Sequence, residues 1–224
     1  MTRVLGNTAL IDASRLLRLA LPQTPPPEPG QWLTIRTNDG PLTVAVLDTS
    51  PDEGWLAVRV PAVFADWSRG TECATDGPFG EPIRTPPGER QLVLLADAAG
   101  LPAVLFAARC LPVHLALIGL DDGPAPFRLR PSRFMIEGVA PEAIAAIGAL
   151  EDAGVASRVA HPEPLPGCRE GDLAALAGEW LAQRSASERW QTAVAVVGTA
   201  ATTAELKPLL RGAVGEHQER LIPD

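Results

Sequence analysis

Cysteine is scarce in this chain: three in 224 residues, at positions 73, 110 and 168, too far apart for a disulfide framework. A reducing, cytoplasmic setting is the expectation. No run reaches the roughly 18 apolar residues of a membrane span, so none is expected. The opening MTRVLGNTALIDASRLLRLALPQ lacks the apolar core of a secretory signal. Positive charge is also short. A formal net charge of −8 leaves no basic stripe for nucleic acid and sets the surface against anionic membranes. The three histidines, His114, His161 and His217, show neither i, i+4 pairing nor HExxH, so no zinc site is expected. His114 reads as a core residue of an apolar strand, and His217 as part of a solvated tail. A nucleophile elbow, G-x-S-x-G, is missing, and so is a phosphate loop, GxxxxGK[ST]. The acidic pairs Asp121–Asp122 and Glu151–Asp152 sit beside glycines and read as turn and helix-end residues.

What is present is the material of a soluble globular protein: 46% hydrophobic and 21% charged residues, enough for a sizeable core. The 23 prolines and 20 glycines fall between periodic segments and mark turns. The first half reads as short strands, at Ala9–Asp12, Leu16–Ala20, Gln31–Thr37, Leu42–Asp48, Trp55–Val60 and Thr71–Thr75, with a helical or irregular link near Pro61–Ser68. Such spacing predicts an antiparallel six-stranded β-barrel over residues 1–88. After RTPPGER the rhythm changes. Strands at Gln91–Ala96, Val113–Gly119, Phe134–Glu137, Val155–Ala160 and Ala193–Val197 alternate with helices at Pro102–Cys110, Pro141–Ala153, Asp172–Arg184 and Thr202–Arg211. That alternation predicts a doubly wound parallel α/β domain over residues 89–224. Thr202 or Thr203 is placed to cap the last helix.

Five short words in a fixed order carry a family resemblance: EPGQWLTIR (28–36), GPLTVAV (40–46), WSRGTECATDGPFGEPI (67–83), LLADAAGLPAVLFAA (94–108) and AVAVVGTAATTAELKPLL (193–210). Together they resemble the ferredoxin-reductase-like flavoproteins, and the branch most similar is the electron-transfer subunit of dihydroorotate dehydrogenase. The resemblance implies FAD on the barrel, NAD(P)H on the second domain, and a protein electron acceptor or catalytic subunit as partner. A second copy of the chain is a further expected partner. It also implies a cysteine-rich iron–sulfur arm, which three scattered cysteines do not supply, so no [2Fe–2S] cluster is expected. Cys110 is assigned to the core, Cys73 to a barrel strand and Cys168 to a loop.

The resemblance assigns residues as well. Gly40 stands where the family has an arginine paired with the flavin diphosphate. Pro41 and Leu42 match, and Thr43 keeps a hydroxyl for the flavin N5 or O4 edge, which makes it the catalytic candidate; a plain strand threonine is the alternative. Arg59, and after it Arg36, are the cations expected to replace the lost arginine. Gly70 and Thr71 match a "GT" word whose backbone approaches phosphate. Gly100, Pro102 and Gly198 match the nucleotide-side turns, the first two in a corner where glycines and a helix N-terminus receive phosphate. In that corner Asp97 replaces a glycine, and Val197 replaces a family cysteine near the nicotinamide. Trp32, Trp55 and Trp67 read as barrel anchors, and Trp180 and Trp190 as contacts to a neighbouring subunit.

Two functions follow. One is an FAD-dependent electron-transfer oxidoreductase fed by NAD(P)H. The other is a non-catalytic relative that binds or assembles, supported by Gly40, Asp97 and Val197.

Overall fold

The computed structural model describes residues 1–21 and 25–223. Six strands come first: β1 (Thr2–Ala9), β2 (Arg15–Ala20), β3 (Trp32–Thr37), β4 (Gly40–Ser50), β5 (Trp55–Val60) and β6 (Glu72–Phe79). They close into a barrel in the order β1-β2-β5-β4-β3-β6, with every pair antiparallel. Side-chain alternation divides each strand between two environments. Val44 and Val46 of β4 fill the barrel with Leu17, Leu33, Ile35 and Val58. Their neighbours Ala45 and Leu47 point outward, and with Ala57 of β5 they enter a core shared with the second half.

That half is built from β7 (Gln91–Ala96), α1 (Leu101–Cys110), β8 (Val113–Gly119), β9 (Leu129–Pro131), β10 (Ala145–Ile147), α2 (Gly148–Asp152), β11 (Ala156–His161), β12 (Arg169–Glu170), α3 (Leu173–Ala182), α4 (Ala186–Trp190), β13 (Thr192–Gly198), α5 (Ala200–Leu210) and β14 (Glu216–Leu221). The sheet order is β12-β11-β8-β7-β13-β14, all parallel. Leu92, Leu94 and Ala96 of β7 face α1 and α2, while Val93 and Leu95 face α3 and α5. Both faces are covered, as near-continuous apolar strands require.

Helix α1 joins the halves. Every residue from Leu101 to Ala108 is buried. One side packs on the sheet, and Phe106 on the other enters the barrel core. The connection between the halves is fastened too. Ile83 N–H donates to the Pro29 carbonyl at 2.8 Å. Arg84 N–H donates to Gln218 Oε1, and Gln218 Nε2 donates back to the Arg84 carbonyl, both at 3.1 Å.

Several expected elements differ. The first strand runs Thr2–Ala9, and Asp12 lies in the turn after it, where Ala13 takes φ 65°. Residues 134–137 form a loop with Met135 97% exposed, not a strand. Of the helix expected over Pro141–Ala153, only α2 forms, because Ala145–Ile147 pairs antiparallel with β9; a short alanine-rich run carries no periodicity that separates helix from strand. Thr199, not Thr202 or Thr203, caps α5. His217 lies in β14, an edge strand parallel to β13, rather than a tail. His114 and Cys110 are exposed instead of core, and Trp180 is buried within its own chain. Cys73 is buried in β6, as expected. Among the described residues no helix is long and apolar enough to cross a membrane.

Phe106→Ala is expected to cost about 3–5 kcal/mol through lost burial and a cavity at the joint. Gly178→Ala in α3, where a new Cβ would meet Leu209 Cδ1 at an ordinary 3.9 Å, is expected to gain about 0.5–1 kcal/mol of helix stability. Urea unfolding of the two variants checks both signs.

Candidate functional site: a groove at the barrel–sheet junction

Alternation places Thr43 on the same outward face as Ala45 and Leu47, and Arg59 on the same face as Ala57. Both therefore reach the junction, where they line one cavity of about 400 Å³ with Asp12, Ser14, Ala99 and Pro102. Residues from four places in the chain thus meet: the β1–β2 turn, the first half of β4, the end of β5, and the corner that starts α1. A second cavity, of about 700 Å³, lies along the β3–β4 hairpin, the 3₁₀ turn over Ala62–Asp66 and the start of β6. It is lined by Arg36, Gly40, Pro41 and Thr71 among others, and it shares Leu42 and Pro61 with the first. The two adjoin at these residues and together make the candidate groove.

The polar groups at this junction end of the groove, whose walls are otherwise mostly apolar, are organised around Arg59. Its Nη2 donates to Asp12 Oδ2 at 2.5 Å and its Nε to Ser14 Oγ at 3.0 Å. Ser14 N–H donates in turn to Asp12 Oδ1 at 3.0 Å. The tight turn at Ala13 makes this convergence, with a non-glycine residue in left-handed backbone of the kind found where geometry is functionally constrained. Burial alone would raise the Asp12 carboxyl, but hydrogen bonds from Ser14 and Arg59 outweigh it and hold the group below its ordinary value. Arg59 remains only partly covered, its side chain 24% exposed. Neither Asp12 nor Ser14 was singled out in the sequence; the Asx-turn pattern D-x-S was the available signal.

At the other end, Arg36 is exposed and paired with Asp76 at 2.8 Å, a contact of small energetic weight at a surface. Acidic Asp39, Asp66 and Glu72 share its cavity. Gly40 follows a two-residue hairpin loop with φ +125°, and Thr37 Oγ1 donates to its carbonyl at 2.7 Å. The backbone here is one that side chains rarely adopt. The "GT" word is held structurally: Gly70 N–H donates to the Val4 carbonyl at 2.9 Å and Thr71 N–H to the Ser68 carbonyl at 3.1 Å. Gly70 is outside the lining of both cavities, while Thr71 lines the second.

Gly100 and Gly198 stand apart from the groove. They bring the turn after β7 and the turn after β13 together around Asp97. Gly100 N–H donates to Asp97 Oδ1 at 2.8 Å. Asp97 Oδ2 accepts from Thr199 N–H at 2.8 Å, Thr199 Oγ1 at 3.0 Å and Thr202 Oγ1 at 2.7 Å. These four donors are therefore engaged by a carboxylate of the chain itself. Pro102 supplies the first turn of α1 and lines the first cavity. Among the described residues no group of three or more His, Cys, Asp or Glu is placed to hold a metal ion.

No family model and no curated protein matches the sequence. Solved structures match across almost the whole chain. An NADH-dependent reduced ferredoxin–NADP oxidoreductase aligns at 14% identity over 96% of this chain and 74% of its own, TM-score 0.68. A ferredoxin reductase in carbazole 1,9a-dioxygenase aligns at 15% identity over 99% and 68%, TM-score 0.71. The flavohaem-like FAD/NAD-binding domain of nitric oxide dioxygenase from Vibrio cholerae O1 biovar El Tor aligns at 13% over 100% and 98%, TM-score 0.63. At these identities the likeness is one of fold: this chain has the ferredoxin-reductase-like architecture, a closed barrel followed by a parallel α/β sheet.

A carboxylate held below its ordinary pKa contributes stability above its unfolded-state pKa and loses it as pH falls through the folded value. Asp12→Asn is therefore expected to cost about 1–3 kcal/mol at neutral pH, with the gap to wild type closing as pH drops below about 4. Thermal melts of both proteins across that range check it.

Proposed function

We propose that this protein is a flavin-dependent electron-transfer module, with FAD lying along the junction groove. The observation that carries this reading is the meeting of Thr43, Arg59 and Pro102 at one end of a groove whose other end holds Arg36, Pro41 and Thr71. Two joined cavities suit a long, jointed ligand. The end with the Thr43 hydroxyl and apolar walls suits the ring system, and the hairpin end suits the ribityl diphosphate and adenosine.

The donor set fits that assignment. Thr43 offers a hydroxyl to the polar edge of the ring. Arg59, fixed by Asp12 and Ser14, would offer a partly exposed cation to the bound flavin. Arg36 is free to exchange its surface carboxylate for phosphate oxygens, replacing the guanidinium that Gly40 lacks. Bound flavin would supply the redox chemistry, accepting a hydride and releasing single electrons; the protein would orient the ring, shield one face and tune its potential. The activities of the fold neighbours, an oxidoreductase of ferredoxin and a reductase within a dioxygenase system, support an acceptor that is another protein. The resemblance to the electron-transfer subunit of dihydroorotate dehydrogenase points the same way, with a catalytic partner subunit as acceptor and the cytoplasm as setting.

Freshly purified protein is expected to be yellow, with absorbance near about 450 nm and FAD released on denaturation and identified by mass. Arg36→Ala and Arg59→Ala are each expected to weaken FAD about tenfold, the loss of one charge-assisted contact. Thr43→Ala should shift the flavin reduction potential while leaving affinity near wild type. A colourless protein that refuses added FAD, or three variants indistinguishable from wild type, would remove the groove from flavin chemistry.

A further inference from the structure

We infer that Asp97 is a built-in anion that closes the nucleotide crevice of the α/β half, so that this chain takes no pyridine dinucleotide there. In open parallel sheets, ligands enter at the carboxyl ends of the strands where the winding reverses. Here that point lies between β7 and β13, since the chain runs from β7 outward to β8 on one side and returns to β13 on the other. The turns that leave these two strands, at 97–100 and 198–199, are the walls of the crevice. Asp97 bridges them with both carboxylate oxygens, taking one backbone N–H from each wall and two threonine hydroxyls.

The four donors are those an incoming phosphate would use. The backbone pair belongs to the N-caps of α1 and α5, whose first turns carry the positive end of the helix dipole. A carboxylate satisfies that potential internally. The glycines serve the closure and not a ligand. A Cβ on Gly198 would overlap the Asp97 carboxylate, and a Cβ on Gly100 would overlap the Val197 carbonyl. The turns are thus packed to contact around the acid. Added diphosphate would meet a like charge and find its donors taken.

This exclusion stands apart from the flavin reading, because it concerns the turns after β7 and β13 rather than the barrel strands, and it needs no bound cofactor. Where the groove does hold flavin, its reducing equivalents come from a donor that does not seat a diphosphate in this crevice.

Calorimetric titration with NADH, NADPH and inorganic pyrophosphate tests it, on wild type and on Asp97→Ala, in flavin-free and flavin-loaded protein. Wild type is expected to give no saturable binding below the millimolar range. Asp97→Ala should bind pyrophosphate and dinucleotide at least about tenfold more tightly, as removal of a facing charge predicts, and should melt at lower temperature. Should the alanine variant fail to fold, Asp97→Asn, of the same shape without the charge, takes its place. Micromolar NADH or NADPH binding by wild type would overturn the proposal. So would silence from wild type and variant alike, since the acid would then not be what excludes the ligand. Because the flavin-free protein is titrated separately, a failed flavin assignment leaves this result readable.

Discussion

Everything in this architecture hangs on a helix without a solvent face. Leu101 to Ala108 of α1 are buried without interruption, a condition met only when apolar partners lie on both sides of a helix. The sheet provides one side and the outer wall of β4 and β5 the other. The barrel and the sheet therefore share a core rather than a seam. Thr43 and Arg59 owe their positions to this, because the outward residues of β4 and β5 not used against α1 are left facing the space beside it. The groove is the remainder of an interface.

Charge is distributed along that interface in a way composition does not disclose. Arg59 is held by an acid and a hydroxyl from the first turn. Arg109 on α1 meets Asp48 of β4 across the joint, and Arg220 of β14 donates to the Pro82 carbonyl in the connection at 2.9 Å. Burial pulls the Arg220 guanidinium below its ordinary value, and it remains a hydrogen-bond donor throughout. Arg109 and Arg220 thus fasten the two halves to each other, while Arg59 is tied within the barrel.

Most of the fold was legible because both periodicities are strong. Barrel strands β2 to β6 and the strands β7, β8, β11 and β13 read directly from alternation and apolar runs, whereas β1 lies earlier than the Ala9–Asp12 run suggested, and Asp172, expected as the first residue of α3, is its N-cap. The failures share a cause. Around residues 134–147, FMIEGVAPEAIAAI has apolar residues without a period, and tertiary pairing of Ala145–Ile147 with β9 decided the outcome. Strand β14 is polar because it is an edge, so EHQERL resembled a tail. Helix α4 was signalled by Ser185 and Glu188, three residues apart, which form a capping box. The groove was half legible. Words in order pointed to Thr43 and Arg59, but the carboxylate facing Arg59 lies 47 residues away in sequence, and the fate of Asp97 depended on two turns 102 residues apart.

The hairpin at Gly40 limits what that corner can carry. Its two-residue loop leaves position 40 at φ +125°, a conformation hostile to any residue bearing a β-carbon. An arginine placed there would strain the backbone it stands on, so a cation serving this corner has to reach it from another part of the barrel.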